Sequence, residues 1–147
     1  MHKISLISVG KIKTSSFAEA CDIYLDRISH QCDFDDRILS AGSAAEEHER
    51  ILKALEKVAG VIVALDETGK ESSSKEFAAF IEKQGDAGTP ITFVLGGAYG
   101  FDDRIRSKAS HVMALSRMTF PHELCKLIFL EQLYRAGEIL KGSGYHH

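Results

Sequence analysis

Apolar and polar positions fall in blocks along this chain, and the blocks alternate in period. Ile4-Ser5-Leu6-Ile7-Ser8-Val9 reads as a strand closed by Gly10. Over residues 14–29, Phe17, Ala18, Cys21, Tyr24, Leu25 and Ile28 recur at the 3.6-residue spacing of an amphipathic helix. Asp33–Leu39 predicts a short strand. Ser43-Ala44-Ala45-Glu46 is a capping box, in which the serine side chain and the glutamate three residues on satisfy each other's backbone N–H groups. It opens a helix with Ile51, Leu52, Leu55 and Val58 on one face, stopped by Gly60.

Val61-Ile62-Val63-Ala64-Leu65 is an unbroken apolar run, as expected of a strand covered on both faces. Ser73 to Glu76 caps another helix that ends near Gly85, and Pro90–Leu95 is a second buried strand. Asp102 to about Ser107 predicts a short helix, and His111–Leu115 a further interior strand. The last helix runs from Pro121 to about Leu140 and stops at Gly142, with Thr119 as a candidate cap partner. It is apolar around much of its girth, from Leu124 through Phe129 and Leu133 to Leu140, which predicts burial on two faces, the second against another subunit. Strands alternating with helices predict an α/β fold with a mostly parallel sheet flanked by helices.

In such sheets ligands bind beyond the carboxyl ends of the strands. Three segments take that place: Leu65–Gly69, Leu95–Phe101 and Leu115–His122. Gly96-Gly97-x-x-Gly100 lets backbone approach a ligand, or simply makes a strand-to-helix turn. It lacks the spacing of a dinucleotide fingerprint. Thr68-Gly69-Lys70 is no phosphate loop, because Ala64 and Glu71 stand where the pattern needs glycine and a hydroxyl. His122-Glu123-Leu124-Cys125-Lys126 starts like a zinc-peptidase motif, but Lys126 replaces the second histidine, and no metal is expected.

Composition narrows the class. The chain has 147 residues, 44% hydrophobic and 27% charged, which suits one soluble domain with a full core. No apolar run is long enough for a membrane span, and the first residues lack the pattern of a signal peptide, so a cytoplasmic protein is expected. Cys21, Cys32 and Cys125 are widely spaced and expected to be reduced, mostly buried thiols. The net charge of −3 excludes nucleic-acid binding by bulk charge. Residues 1–100 hold 11 basic and 16 acidic groups, whereas residues 101–147 hold 7 and 5 with four of the seven histidines. An anionic partner is therefore expected at the C-terminal third, where Arg104, Arg106, Lys108, Arg117, Arg135 and Lys141 could form a basic patch.

Leu95-Gly96-Gly97-Ala98-Tyr99-Gly100, followed by Leu115-Ser116-Arg117-Met118-Thr119-Phe120-Pro121-His122, resembles the cofactor site of the SPOUT methyltransferases. The nearer resemblance is to their minimal members, the ribosomal RNA large subunit methyltransferase H family. It spans the chain, from Val9-Gly10-Lys11 through Leu65-Asp66-x-x-Gly69-Lys70 and Glu131-Gln132-Leu133-Tyr134-Arg135-Ala136 to Gly144-Tyr145-His146. The resemblance implies a single SPOUT domain over residues 1–147, with a C-terminal trefoil knot, acting as a homodimer. Spacing gives no knot, and the rule of un-knotted connections would exclude one. The implied reaction moves a methyl group from S-adenosylmethionine to N3 of a pseudouridine, in the helix 69 loop of 23S rRNA in the assembled ribosome.

Under that resemblance Leu65, Gly96, Gly97, Leu115, Ser116, Arg117, Met118, Thr119 and Phe120 hold the cofactor. His146, or less so His122, assists proton removal, with Tyr145 and Arg135 orienting the target. Helix packing and an interface ion pair are the other account of Tyr134 and Arg135. The rival readings are a SPOUT-type tRNA methyltransferase, a non-catalytic cofactor- or RNA-binding module, and a flavodoxin-like regulator. Val9–Lys13 lacks the acidic cluster the last would want.

Overall fold

The computed structural model describes residues 2–147. Five strands and five helices alternate strictly: β1 (Lys3–Val9), α1 (Ser15–Ser29), β2 (Asp33–Leu39), α2 (Ala44–Leu55), β3 (Val61–Glu71), α3 (Ser74–Asp86), β4 (Ile91–Leu95), α4 (Asp103–Lys108), β5 (His111–Ala114) and α5 (His122–Lys141). The strands form one sheet in the order β2-β1-β4-β3-β5, and each neighbouring pair is parallel. Parallel pairing needs a crossover between strands, and α1 to α4 supply the four, while α5 follows the last strand.

Successive residues of a strand point to opposite faces, so each strand feeds two cores. Ile4 and Leu6 of β1, Val63 and Leu65 of β3, and Ile91, Phe93 and Leu95 of β4 pack under α1, α3 and α5. Ile7, Val9, Ala64 and Val94 pack under α2 and α4. In the larger core the Phe93 and Phe129 rings lie 4.8 Å apart between centroids, and Phe77 stands edge-on to Phe129 at 6.3 Å. α5 lies between α1 and α3, which accounts within one protomer for much of its apolar girth. All three thiols are free; Cys21 and Cys32 are buried, and burial pushes Cys32 up to about 11.

The local chemistry follows the expected rules at two helices. Ser43 with Glu46, and Ser73 with Glu76, form reciprocal capping boxes on α2 and α3. At α5 the expectation fails. Pro121 occupies the N-cap position itself, with φ −55°, and no side chain caps the helix. Thr119 donates its hydroxyl to the Glu67 carboxylate instead.

β3 also departs from the pattern. Its ladder with β5 breaks after Leu65 and resumes at Lys70, so Asp66–Gly69 leaves the sheet and returns. Gly69 makes the return possible. A Cβ there would lie 2.6 Å from the Met113 nitrogen and 2.7 Å from the Val112 oxygen, closer than any side chain tolerates.

Phe129 is fully buried between β4 and α3. Phe129→Ala is expected to lower unfolding free energy by about 3–5 kcal/mol, read from urea titration; a loss below about 1 kcal/mol would contradict this core.

Candidate active site

The carboxyl ends of β3, β4 and β5 converge on a cavity of about 580 Å³. That volume suits a cofactor-sized ligand. Three loops form its walls, one after each strand. A larger cavity of about 770 Å³ lies at the opposite end of the sheet, beside Lys3, Cys32, Pro90 and Leu140. Size alone does not select it, because the smaller cavity is where the strand ends bring backbone and polar groups together.

The first wall is Leu65-Asp66-Glu67. Arg106 of α4 donates from Nε to Asp66 Oδ2 at 2.7 Å and from Nη1 to Asp103 at 3.1 Å. Glu67 accepts from Thr119, which ties the first loop to the third across the cavity.

The glycine loop is the second wall; Gly96 and Gly97 are fixed by packing and Gly100 by its backbone angle. A Cβ on Gly96 would lie 2.7 Å from the Gly100 carbonyl oxygen, and one on Gly97 would lie 2.7 Å from Glu47 Oε1. Gly100 has φ +60°, a conformation that side-chain-bearing residues rarely adopt. Asp102 then caps α4 by accepting from the Ile105 N–H. The Arg104 guanidinium and that N–H hold the Asp102 carboxyl below its ordinary range, against the opposing effect of desolvation.

The third wall is Leu115–His122. Ser116 Oγ accepts from the Met118 N–H at 2.9 Å, folding the loop back on itself. Of the nine residues expected at a cofactor, Leu65, Gly96, Gly97, Leu115, Ser116, Met118, Thr119 and Phe120 line the cavity. The Arg117 side chain is exposed and pairs with Glu71 at 3.2 Å. Asp66, Glu67 and Tyr99 also line it, inside the segments expected beyond the strand ends but outside the nine cofactor residues, and so does Arg106, expected only in the basic patch. An acidic pair directly after an apolar strand was the available signal for the first two.

The four expected catalytic residues fall into two groups. His122, at the start of α5, lines the cavity. Arg135, Tyr145 and His146 gather thirteen residues further along, about 20 Å down the helix axis. Arg135 is held by Glu131, one turn back, at 2.7 Å. Its Nη1 lies 3.0 Å from His146 Nδ1, and its guanidinium sits 5.0 Å from the centre of the Tyr145 ring. A guanidinium only donates, so Nδ1 is the acceptor in this contact and the neutral ring carries its hydrogen on Nε2. Tyr145 stands edge-on to Tyr134 at 5.0 Å, and Arg27 of α1 lies over Tyr24 and Tyr134. Burial pushes the Tyr145 phenol above its ordinary range, and its hydrogen bond with Tyr24 adds to this.

The expected basic patch is not a field of free charge. Arg104 pairs with Glu49 and Asp102, Arg106 with Asp66 and Asp103, Arg117 with Glu71, Arg135 with Glu131, and Lys141 with Glu138. Five of the six cations thus meet carboxylates of their own chain, three of them from residues 1–100 and two, Arg135 and Lys141, from their own helix. Among the described residues, no helix is long and apolar enough to cross a membrane, and no group of three His, Cys, Asp or Glu side chains is placed to hold a metal.

Gly69→Ala must displace backbone where the first loop meets β5. It is expected to cost about 1–3 kcal/mol in urea unfolding; unchanged stability would mean the two segments are not in contact.

Comparison with known proteins places this geometry. The family model described as "Predicted SPOUT methyltransferase" matches residues 2–146. A protein named ribosomal RNA large subunit methyltransferase H from Oleidesulfovibrio alaskensis is 41% identical over the whole of both chains. Proteins of the same name from Parabacteroides distasonis and Trichlorobacter lovleyi are 38% and 41% identical, each over 99% of both chains. With convergent loops at three strand ends and likeness along its full length, the chain belongs to the SPOUT methyltransferases, in the ribosomal RNA large subunit methyltransferase H family.

Proposed function

We propose that this chain methylates N3 of a pseudouridine in the helix 69 loop of 23S rRNA on the assembled ribosome, using S-adenosylmethionine and acting as a cytoplasmic homodimer. The working unit is a single SPOUT domain over residues 1–147, its C-terminal segment tied in a trefoil knot. The observation that carries the reading is the convergence of the three loops on one cavity, together with relatives named as large-subunit rRNA methyltransferases.

The cavity fits the cofactor in its chemistry. Leu65, Leu115 and Phe120 offer apolar walls to a flat adenine, and the backbone from Leu115 to Phe120 offers hydrogen bonds at its edge. Arg117 contributes its backbone only, since its side chain is held outside by Glu71. Gly96 and Gly97 let the loop pack tightly on Gly100 and Glu47 at the cavity wall, and Glu67 supplies negative charge for a cationic ligand. When bound, S-adenosylmethionine supplies an electrophilic methyl group on a sulfonium. The protein's part is then largely positioning of two reacting atoms about 3 Å apart.

N3 of the target base is a weak acid and must lose its proton. His146 is the proposed base, with His122 the second candidate, and Tyr145 and Arg135 orient the target. His146 can take a proton on Nδ1 only after Arg135 turns away from it. An arriving anionic RNA gives Arg135 a reason to turn. The 20 Å or so between His122 and Arg135 along one helix supports a dimer, in which the tail of one protomer serves the cavity of its partner.

Because five of the six cations of the expected patch already meet carboxylates, recognition rests on the shape of the ribosome and not on charge. Labelled S-adenosylmethionine is expected to mark unmodified ribosomes, and to mark free large-subunit RNA or its isolated hairpin feebly. Label in bulk tRNA would move the chain to a tRNA methyltransferase, and cofactor binding without label anywhere would make it a binding module.

His146→Ala is expected to slow methylation by about 100-fold or more with cofactor affinity unchanged. Turnover equal to the parent chain's would remove His146 from the reaction.

A further inference from the structure

His122-Glu123-Leu124-Cys125-Lys126 was rejected as a metal motif, yet its two charged residues are both engaged by distant parts of the chain. Glu123 Oε2 accepts from the Lys13 N–H at 2.7 Å and Oε1 from the Thr14 N–H at 3.3 Å, just before α1. These bonds hold the Glu123 carboxyl below its ordinary range. One turn deeper, Lys126 is 5% exposed. Its Nζ lies 3.1 Å from Asp36 Oδ1 and 3.2 Å from Oδ2 on β2, and donates to Ser8 Oγ on β1 at 3.2 Å. Ser8 is itself buried.

A lysine is a poor choice for this place if only stability matters. The other buried positions of α5 are Phe129, Leu130, Leu133 and Ala136, all apolar. Removing an ammonium and a carboxylate from water offsets much of their attraction, and apolar replacements of such pairs are often neutral or stabilising. What the pair supplies is direction. Apolar contacts let a helix slide or turn slightly, whereas one ammonium facing a carboxylate and a hydroxyl on two strands fixes its depth and rotation. Residues 115–121 run straight into this helix, and Lys126 and Ser8 border the same narrow void as Gly96 and His122.

We propose that Lys126, locked by Asp36 and Ser8, is a positioning residue that sets the first turns of α5 and through them the geometry of the 115–121 cofactor loop and His122. The proposal rests on the cofactor reading above only for its affinity readout. Lys126→Met leaves the half-buried Asp36 unpaired, so it loses stability and cofactor affinity together and does not discriminate. The discriminating variant is the apolar pair Lys126→Met/Asp36→Leu. It is expected to recover most of the melting temperature lost by Lys126→Met. Its dissociation constant for S-adenosylmethionine is expected to stay at least about tenfold above the parent chain's, since misplacement of about 1 Å can cost that much or more. Amide exchange at residues 115–121 is expected to quicken in the double variant, with α3 unchanged.

A double variant with parental affinity and parental exchange would overturn the proposal and leave the pair a packing feature. If the double variant does not recover stability, Lys126→Arg, which keeps the charge, decides: restored loop protection supports positioning, and protection no better than in Lys126→Met overturns it. If the parent chain itself binds no S-adenosylmethionine, the cofactor reading fails, and the exchange rates of residues 115–121 still decide the role of Lys126.

Discussion

A parallel sheet covered by helices on both faces stays open only at its edge strands and at the ends of its strands. That constraint organises this molecule. β1, β3 and β4 bury side chains in two cores, so neither face can carry polar chemistry without the cost of an unpaired buried group. Of the polar wall residues, Ser116 and Thr119 lie past the end of β5, and Asp66 and Glu67 lie where β3 breaks its ladder after Leu65. The backbone there has left the ladder and can offer its N–H and C=O groups elsewhere. Gly69 sharpens the arrangement by letting β3 break its ladder with β5 after Leu65 and rejoin it at Lys70, and Glu67 in that stretch meets Thr119 of the third loop.

Charge is handled the same way throughout the C-terminal third. Each arginine at or near the cavity is met by a carboxylate from its own chain, often from a distant segment, as with Arg104 and Glu49 or Arg106 and Asp66. These pairs fix loops more than they stabilise the fold, because exposed pairs contribute about 0–1 kcal/mol. They also leave a surface with little pull on polyanions. Such a surface lacks the unselective grip that a free basic patch would give on any RNA.

Much of the fold was legible because its signals are local. The apolar runs at residues 61–65 and 90–95 mark buried strands, and the two capping boxes mark helix starts within a residue. The three carboxyl-end segments followed from strand order alone. What escaped was set by contacts between residues far apart in sequence. Thr119 looked like a cap partner, but Glu67, 52 residues away, takes its hydroxyl. Arg117 sat inside the cofactor string, but Glu71 draws its side chain outward. The first charged residues of α5 read as a failed metal motif because their partners, Lys13, Thr14, Ser8 and Asp36, lie 90 to 118 residues away. Periodicity reports which face of an element is buried, and not what it meets there.

α5 is where these strands of the argument join. Its first turn borders the cavity, its middle fills the larger core with Phe129, Leu130 and Leu133, and its end carries Arg135 to the tail residues Tyr145 and His146. Such a helix is a rigid spacer, and its length prevents its two ends from meeting at one point. Bending it would break the Phe77, Phe93 and Phe129 cluster, so the separation is built into the core. A catalytic role for the tail therefore demands a second copy of the chain, whereas a purely structural role demands none. The half-buried apolar residues that α5 keeps outside the core, Leu124 and Ile128 among them, are the surface on which such a copy would have to be held.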